Sequence, residues 1–312
     1  MKNNILKHPL LAPAALIMAT FAWGSSFIAL KHSIGVFSPY FVICCRMVIA
    51  SICFLFLRRF FGKNQYIKGD WLWLLLMSLA EPCLYFVFEA YALKYTTAGS
   101  AGVINSLLPP LIAIAGWFVY RRKLSMFAIC GLSLAIIGSI GLTLSTAPTE
   151  VATRPILGNL LEFGAMVSSC LYVLILEKIS SRYSPFFLTA MQAFIGSIFF
   201  IPLAFTQPIL LVPASSLEWT HVFSLFYLGI FVTLGGYFLY NWGIANIGAS
   251  QSSMFVNLVP VFALLMSALI LNEQINMVQL LCIILILAGV FISQYSPKKT
   301  HFKSVMSEHD FQ

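Results

Sequence analysis

Charge is what this chain has least of. Only 9% of its residues are Asp, Glu, Lys or Arg, where a soluble domain carries about 25%, and 60% are hydrophobic. So little charge cannot cover a globule in water, which excludes a soluble fold. Long polar segments are also missing, so the connections leave no room for an extramembrane domain. The seven cysteines (Cys44, Cys45, Cys53, Cys83, Cys130, Cys170, Cys282) all sit inside apolar runs, without the paired spacing of a metal or redox centre; they read as small hydrophobes. Histidine is scarce at membrane depth: His8, His32, His221, His301 and His309 fall in loops or at the ends of runs. Intramembrane hydrolases and di-iron desaturases need histidine beside Ser, Asp or further histidines, so those chemistries are excluded. No Gly-rich phosphate loop is present to power a pump. The reading is a non-enzyme with no cofactor and no metal.

What fills the space is apolar sequence. Crossing a bilayer takes about 20 residues, and ten runs qualify: 12–32, 39–60, 71–93, 98–119, 125–145, 156–178, 185–206, 219–243, 248–271 and 275–295. Lys2 and Lys7 ahead of the first run resemble a signal peptide. However, no small-x-small cleavage site ends that run, and it continues through Trp23-Gly24-Ser25-Ser26, so it reads as a retained span. The fold class expected is an all-α polytopic membrane protein, with the lipid bilayer as its surroundings. The pI of 9.2 comes from short basic loops that control topology, and no nucleic-acid partner is expected. Monomer and homo-oligomer both stay open.

The stretch from Tyr91 to Gly138 is written twice. Displaced by 151 positions, Ala98 falls on Ala249, Leu107 on Leu258, Pro109 on Pro260, Leu134 on Leu285 and Gly138 on Gly289. The turn between the two runs is Arg121-Arg122-Lys123 in one copy and Asn272-Glu273-Gln274 in the other. A basic and a non-basic turn at one structural place put the copies on opposite sides of the membrane. Basic loops stay cytoplasmic, and an inside amino terminus collects Lys2, Lys7, Arg58, Arg59, Lys63, Lys68, Arg121, Arg122, Lys123, Lys178, Arg182, Lys298, Lys299 and Lys303 on that face. It leaves only Lys31, Lys94 and Arg154 outside.

Five spans per half is an odd number, so the second half enters inverted. The division expected is a cytoplasmic amino terminus at 1–11, a first five-helix repeat at 12–145 and a connecting loop at 146–155. A second repeat at 156–295 and a cytoplasmic tail at 296–312 complete it. Inverted repeats are the common architecture of secondary carriers, with the substrate site near the midplane between the halves.

Several residues at membrane depth are candidates for that site. Pro109 (with Pro110) and Pro260 lie near the centres of spans four and nine, where proline removes a backbone donor; Ser106 and Asn257 precede them by three residues. One reading is two kinked helices held by polar side chains; the other is a paired set of hinges lining a cavity. Ionisable groups in the membrane cost about 2.5–3.5 kcal/mol on insertion scales and point to function by default. Here they are Arg46 in span two, Glu81 and Glu89 in span three and Glu162 in span six. Arg46 and Glu81 are placed to pair. Alternatively Arg46 offers its fork to a substrate carboxylate or phosphate, and Glu81 or Glu89 meets an amine or carries a coupling proton. Gln192 takes the place of Arg46 when Pro185 is laid over Pro39. Most of Trp23, Tyr85, Phe88, Tyr91, Trp117, Tyr172, Tyr237, Tyr240 and Trp242 read as interfacial anchors or packing. Trp23, Tyr85 and Tyr240 are nearest mid-span and best placed to stack on an apolar substrate.

These residues together resemble the EamA-type ten-helix branch of the drug/metabolite transporter superfamily, over roughly 12–295. Trp23-Gly24, Lys31, Pro39 and Arg46 resemble its first helix pair. Ala92-Leu93, Ala98, Ala101, Leu107, Pro109, Gly131 and Gly138 resemble its fourth and fifth spans, and Leu258, Pro260, Glu273 and Gly289-Val290 repeat that pattern. The chain departs from it at Arg122, where the family often has Glu; Glu273 is therefore read as loop or interface structure. The resemblance implies a carrier in a bacterial inner membrane, for small metabolites such as amino acids or related amphipathic compounds, often exporting them. A flippase for lipid-linked substrates and a non-transporting membrane scaffold are the alternatives.

Overall fold

Two helices open on the same words. Ser38-Pro39 and Ser184-Pro185 each place proline in the first turn, where its missing N–H is not needed and its fixed φ suits the helix. The computed structural model describes residues 11–294 except 63, 121–125, 146–148, 151, 180–181, 248–251, 253–254 and 274. The basic turn Arg121-Arg122-Lys123, Gln274, Ala249, the amino-terminal lysines and the tail lie outside the described residues, as does the side chain of Trp117.

Ten apolar helices make up the described chain. They are α1 (Leu11–Ile34), α2 (Pro39–Phe56), α3 (Asp70–Tyr95), α4 in two pieces (Ala98–Asn105 and Leu108–Tyr120) and α5 (Met126–Ser145). The second five are α6 (Pro155–Ile179), α7 (Pro185–Ala204), α8 in three pieces (Trp219–Phe226, Tyr227–Gly236, Tyr237–Ile247), α9 (Leu258–Ile270) and α10 (Met277–Gln294). Six, among them α1, α3 and α8, are long and apolar enough by length and composition to cross a membrane, and four are shorter. No strand occurs among the described residues beyond a single bridge, Phe37 to Leu210.

The packing partners follow a two-fold plan. Exchanging each helix for the one five places on maps α2 with α7, α4 with α9 and α5 with α10 onto themselves. It also maps the α1–α9 contact onto α6–α4 and the α1–α8 contact onto α6–α3, and all of these pairs are in contact. The chain is thus two inverted five-helix repeats. Glycine permits the closest crossings: a Cβ on Gly102 would fall 2.3 Å from the Ala263 Cβ, and one on Gly24 2.5 Å from the Phe262 Cβ. Close approach of small residues is how helices associate where lipid removes the hydrophobic drive.

The same plan appears in the broken turns. α3 loosens into a π-wound turn at Leu79–Leu84, where Glu81 has the extended backbone φ −142°, ψ 116° before Pro82. Displaced by 151, that segment falls inside the π-wound Tyr227–Gly236 of α8. The breaks in α4 and α9 fall at Ser106–Leu107 and at Asn257, a turn ahead of the prolines. Pro109 and Pro260 therefore sit in the first turn of a fresh helix, where proline is tolerated. The helix is interrupted just upstream of them.

Candidate functional site

A cavity of about 70 Å³ lies where the loosened turn of α3 meets α1, α2, α6 and the last piece of α8. A water needs only ~10–15 Å³ of such space, so the cavity is roomy enough for several. Its walls include Trp23, Arg46, Glu81, Tyr85, Glu89, Asn105, Ser169, Tyr172, Tyr237 and Tyr240, closed by Phe27, Phe86, Val256 and Val259.

Glu81 reaches this wall because the turn that carries it is unwound. Pro82 cannot donate, and the loosened turn leaves carbonyls without helical partners. The second half supplies them: Ser168 Oγ donates to the Ala80 carbonyl at 2.8 Å and Gln192 Nε2 to the Glu81 carbonyl at 2.8 Å. The Glu81 carboxylate accepts from Tyr237 Oη and Ser169 Oγ, both at 2.6 Å. Its oxygens are held by hydroxyls from α6 and α8.

Arg46 is buried, 2% exposed. Nε donates to Thr233 Oγ1 at 2.6 Å in the loosened turn of α8, and the guanidinium carbon lies 4.1 Å from the centre of the Phe86 ring. The expected pair with Glu81 is replaced by one with Glu89, whose Oε2 stands 3.9 Å from Arg46 Nη1. Glu89 lies two turns closer to the end of α3, nearer the depth of Arg46, while Glu81 is turned toward α6 and α8 by the break. A separation of 3.9 Å is a charge contact and too long for a hydrogen bond. The other Glu89 oxygen accepts from Tyr85 Oη at 2.9 Å, and Asn105 Nδ2 donates to Tyr85 Oη at 3.3 Å.

Aromatic rings line the wall beside Glu81. Trp23 packs against Tyr237 and Tyr240 at centroid distances of 5.2 and 4.8 Å. Its Nε1 is buried without a hydrogen-bond partner among the described residues and lies against Gly236.

The structure thus gathers Trp23, Arg46, Glu81, Tyr85, Glu89 and Tyr240 around one cavity. Ser106 and Asn257 are not among its lining residues. Ser106 is buried with Oγ donating to the Val103 carbonyl at 2.6 Å, so it serves the break in α4, and its neighbour Asn105 takes the wall. Asn257 stands at the start of α9. Sequence reasoning passed over Ser169 and left Tyr172 and Tyr237 among the general aromatics. A polar Ser168-Ser169 pair two turns along α6 from Glu162, on the face of that charge, was the available signal.

Cross-half ties lie at both membrane faces. At one, Ser38 N donates to the Ile209 carbonyl at 3.1 Å, Leu211 N to the Val36 carbonyl at 2.8 Å, and Glu273 accepts from Ala98 N and Gly99 N at 2.9 and 3.0 Å. That carboxylate caps the amino terminus of α4, where partial positive charge favours it, and so bears out Glu273 as interface structure. At the other, Asp70 pairs with Arg182 at 2.9 Å and accepts from Tyr183 Oη at 2.9 Å, while Ser184 Oγ donates to the Phe61 carbonyl. Burial and the Asp70 carboxylate push the Tyr183 hydroxyl up to about 12.

Known proteins resemble the chain along most of its length. A family model described as "EamA-like transporter family" matches residues 10–144 and 156–295. The uncharacterized transporter YetK of Bacillus subtilis is 27% identical, over 95% of this chain and 90% of its own. An uncharacterized transporter of Archaeoglobus fulgidus is 25% identical, over 93% of this chain and 98% of its own. A solved crystal structure covers 90% of this chain and 97% of the other with a TM-score of 0.63; at 18% identity it shows the fold alone.

Proposed function

Because the chain belongs to the EamA-like transporter family, we propose that it is a secondary transporter of small amphipathic metabolites, amino acids or related compounds, working by alternating access about the central cavity. The observation that carries this reading is the cavity wall itself, where one guanidinium and two carboxylates stand at mid-depth among aromatic rings. Buried charge is costly in hydrocarbon, and a packed scaffold would gain nothing from holding it beside a void. In this reading Arg46 receives the anionic end of the solute and Glu81 its amine, while the Trp23 ring stacks on its apolar part. Tyr85, Tyr237 and Tyr240 lie along its apolar part. The breaks beside Pro109 and Pro260 act as hinges when the halves rock. With the basic loops on the cytoplasmic face of a bacterial inner membrane, both termini are cytoplasmic; export is the direction that the family resemblance implies.

Uptake of radiolabelled apolar L-amino acids into proteoliposomes tests this. Arg46→Ala and Glu81→Gln each remove a charged hydrogen bond worth about 1.5–3 kcal/mol, so transport falls roughly ten- to hundredfold while membrane insertion is kept. Asn257→Ala also lowers it, through the break in α9. Undiminished uptake in all three variants rejects the site assignment.

A further inference from the structure

Among the described residues, Glu162 is the least satisfied ionisable side chain. It is 0% exposed, and neither carboxylate oxygen has a hydrogen-bond partner among the described residues. It stands outside the cavity wall, on a stretch of α6 packed against α3, where a Cβ on Gly158 would fall 2.7 Å from the Thr96 Cβ and one on Gly164 3.6 Å from the Phe88 ring. Glu89, between Phe88 and Thr96 in the chain, is its principal charged neighbour. Glu89 does line the cavity; its Oε2 also lacks a hydrogen-bond partner among the described residues and is held only by the loose 3.9 Å contact to Arg46.

The neighbours of Glu162 leave few other sources of charge. From α3 come Glu89 and Tyr85, with Glu81 further along the same helix; Arg46 of α2 contacts Glu89. The first piece of α4 (Ala98–Asn105) offers no titratable side chain, and its second piece and α5 offer only Tyr120 and Cys130, at the opposite ends of those helices. Around the wall there are three buried carboxyl groups and one buried guanidinium. An isolated carboxylate out of water is far too costly to persist as the ion, and two carboxyl groups in one another's field do not both ionise at small cost.

We propose that Glu89 and Glu162 form a proton-binding pair, with Arg46 as the switch that sets its occupancy. With the cavity empty, Arg46 holds Glu89 as the carboxylate and Glu162 carries a proton. A solute carboxylate that engages Arg46 removes the counter-ion of Glu89. Glu89 then takes a proton from the water of the cavity: one O–H bond forms on its free oxygen, one breaks in a hydronium ion, and nothing is oxidised or reduced. Each anionic group bound brings one proton, and each one released gives it back. The inference rests on the transporter reading and extends it from the solute to the coupling ion.

A substitution mimics the departure of the guanidinium without any solute. The full-length protein in proteoliposomes at neutral pH is compared by infrared spectroscopy in H2O and D2O, following the isotope-sensitive carbonyl band of protonated carboxyl groups. Glu162→Gln lowers that band relative to wild type. Arg46→Gln raises it by the same one-carboxyl intensity, Arg46→Gln with Glu89→Gln does not, and Arg46→Lys keeps the wild-type spectrum. Where Glu162→Gln fails to fold, the comparison of Arg46→Gln with the double variant decides alone. An unchanged band in Arg46→Gln, or an added band that survives Glu89→Gln, overturns the pair. The readout needs no transport, so the infrared pattern without any uptake would reject the transporter reading and leave the pair standing.

Discussion

Arg46 and Gln192 each hold the other half's loosened turn, Gln192 directly at the Glu81 carbonyl and Arg46 through the Thr233 hydroxyl, which donates to the Leu228 carbonyl at 2.9 Å. Arg46 Nε gives its hydrogen to Thr233 in the loosened turn of α8, and Gln192 Nε2 gives its own to the Glu81 carbonyl in the loosened turn of α3. The two stand at equivalent places when Pro185 is laid over Pro39, so each half braces the other's weak point. The loosened turns need that brace, because backbone groups freed inside hydrocarbon are stable only when protein or water satisfies them. One brace is charged and the other neutral, so the two halves differ in charge at this equivalent place.

Removing the neutral brace tests this arrangement. Gln192→Leu leaves the Glu81 carbonyl buried without its donor, a cost of about 1–3 kcal/mol, and Ser168→Ala does the same to Ala80. Both variants melt at lower temperature than wild type in detergent. A wild-type midpoint for Gln192→Leu would show that water or another side chain holds the turn.

Gly102 lies against Ala263 so closely that a methyl group would sit 2.3 Å from another. Gly102→Ala must push α4 from α9, and overpacking of this kind costs typically about 1–3 kcal/mol. Ala263→Gly in the same chain returns the space. The pair is expected to recover most of the lost stability, measured as a double-mutant cycle of melting midpoints. Additive losses would mean that the contact is not what limits the approach of the two helices.

The membrane architecture was legible because its signals are covalent and repetitive: apolar length, the doubled Leu-x-Pro break at Pro109 and Pro260, and the odd number of spans per half. Arg46, Glu81 and Glu89 were legible for a related reason, since charge in an apolar run has to be explained. The pairing of Arg46 was not, because sequence gives depth along a helix and not the direction imposed by an unwound turn. Glu81 sits where α3 leaves helical geometry, and its side chain swings toward Ser169 and Tyr237. Ser106 and Asn257 were read as cavity side chains, but Ser106 serves the backbone break and neither is on the wall. Tyr237 was hidden among many aromatics, and only its contact with Glu81 separates it from the rest.

Tyr183 gives a pH-dependent contribution with a definite sign. Its hydroxyl, ordinarily near 10, is pushed up to about 12 by burial and the Asp70 carboxylate that it bonds. A group raised in the folded state contributes its full stability below the ordinary value and loses it as pH climbs through the folded one. The stability difference between wild type and Tyr183→Phe is therefore flat through neutral pH, begins to shrink near pH 10 and is lost through about 12. A difference that grows with pH over that interval would place the hydroxyl outside this contact.

The Glu273 clasp bears on the transport cycle itself. Its two oxygens accept from Ala98 N and Gly99 N, tying the loop after α9 to the start of α4 at the face proposed as outer. Halves that rock must break this tie to open there, and bonds to a charged group are worth about 1.5–3 kcal/mol. Glu273→Ala then shifts the balance toward the outward-open form by roughly ten- to hundredfold, because a population moves by the free energy that separates its states. The measurement is the labelling rate of a cysteine at Ser26, on the cavity wall, in a chain freed of its native cysteines and exposed to an impermeant thiol reagent from outside. Glu273→Gln keeps the shape but not the charge and should fall between wild type and Glu273→Ala. Equal labelling rates in all three would mean that the clasp persists through the cycle and that the opening lies between other helices.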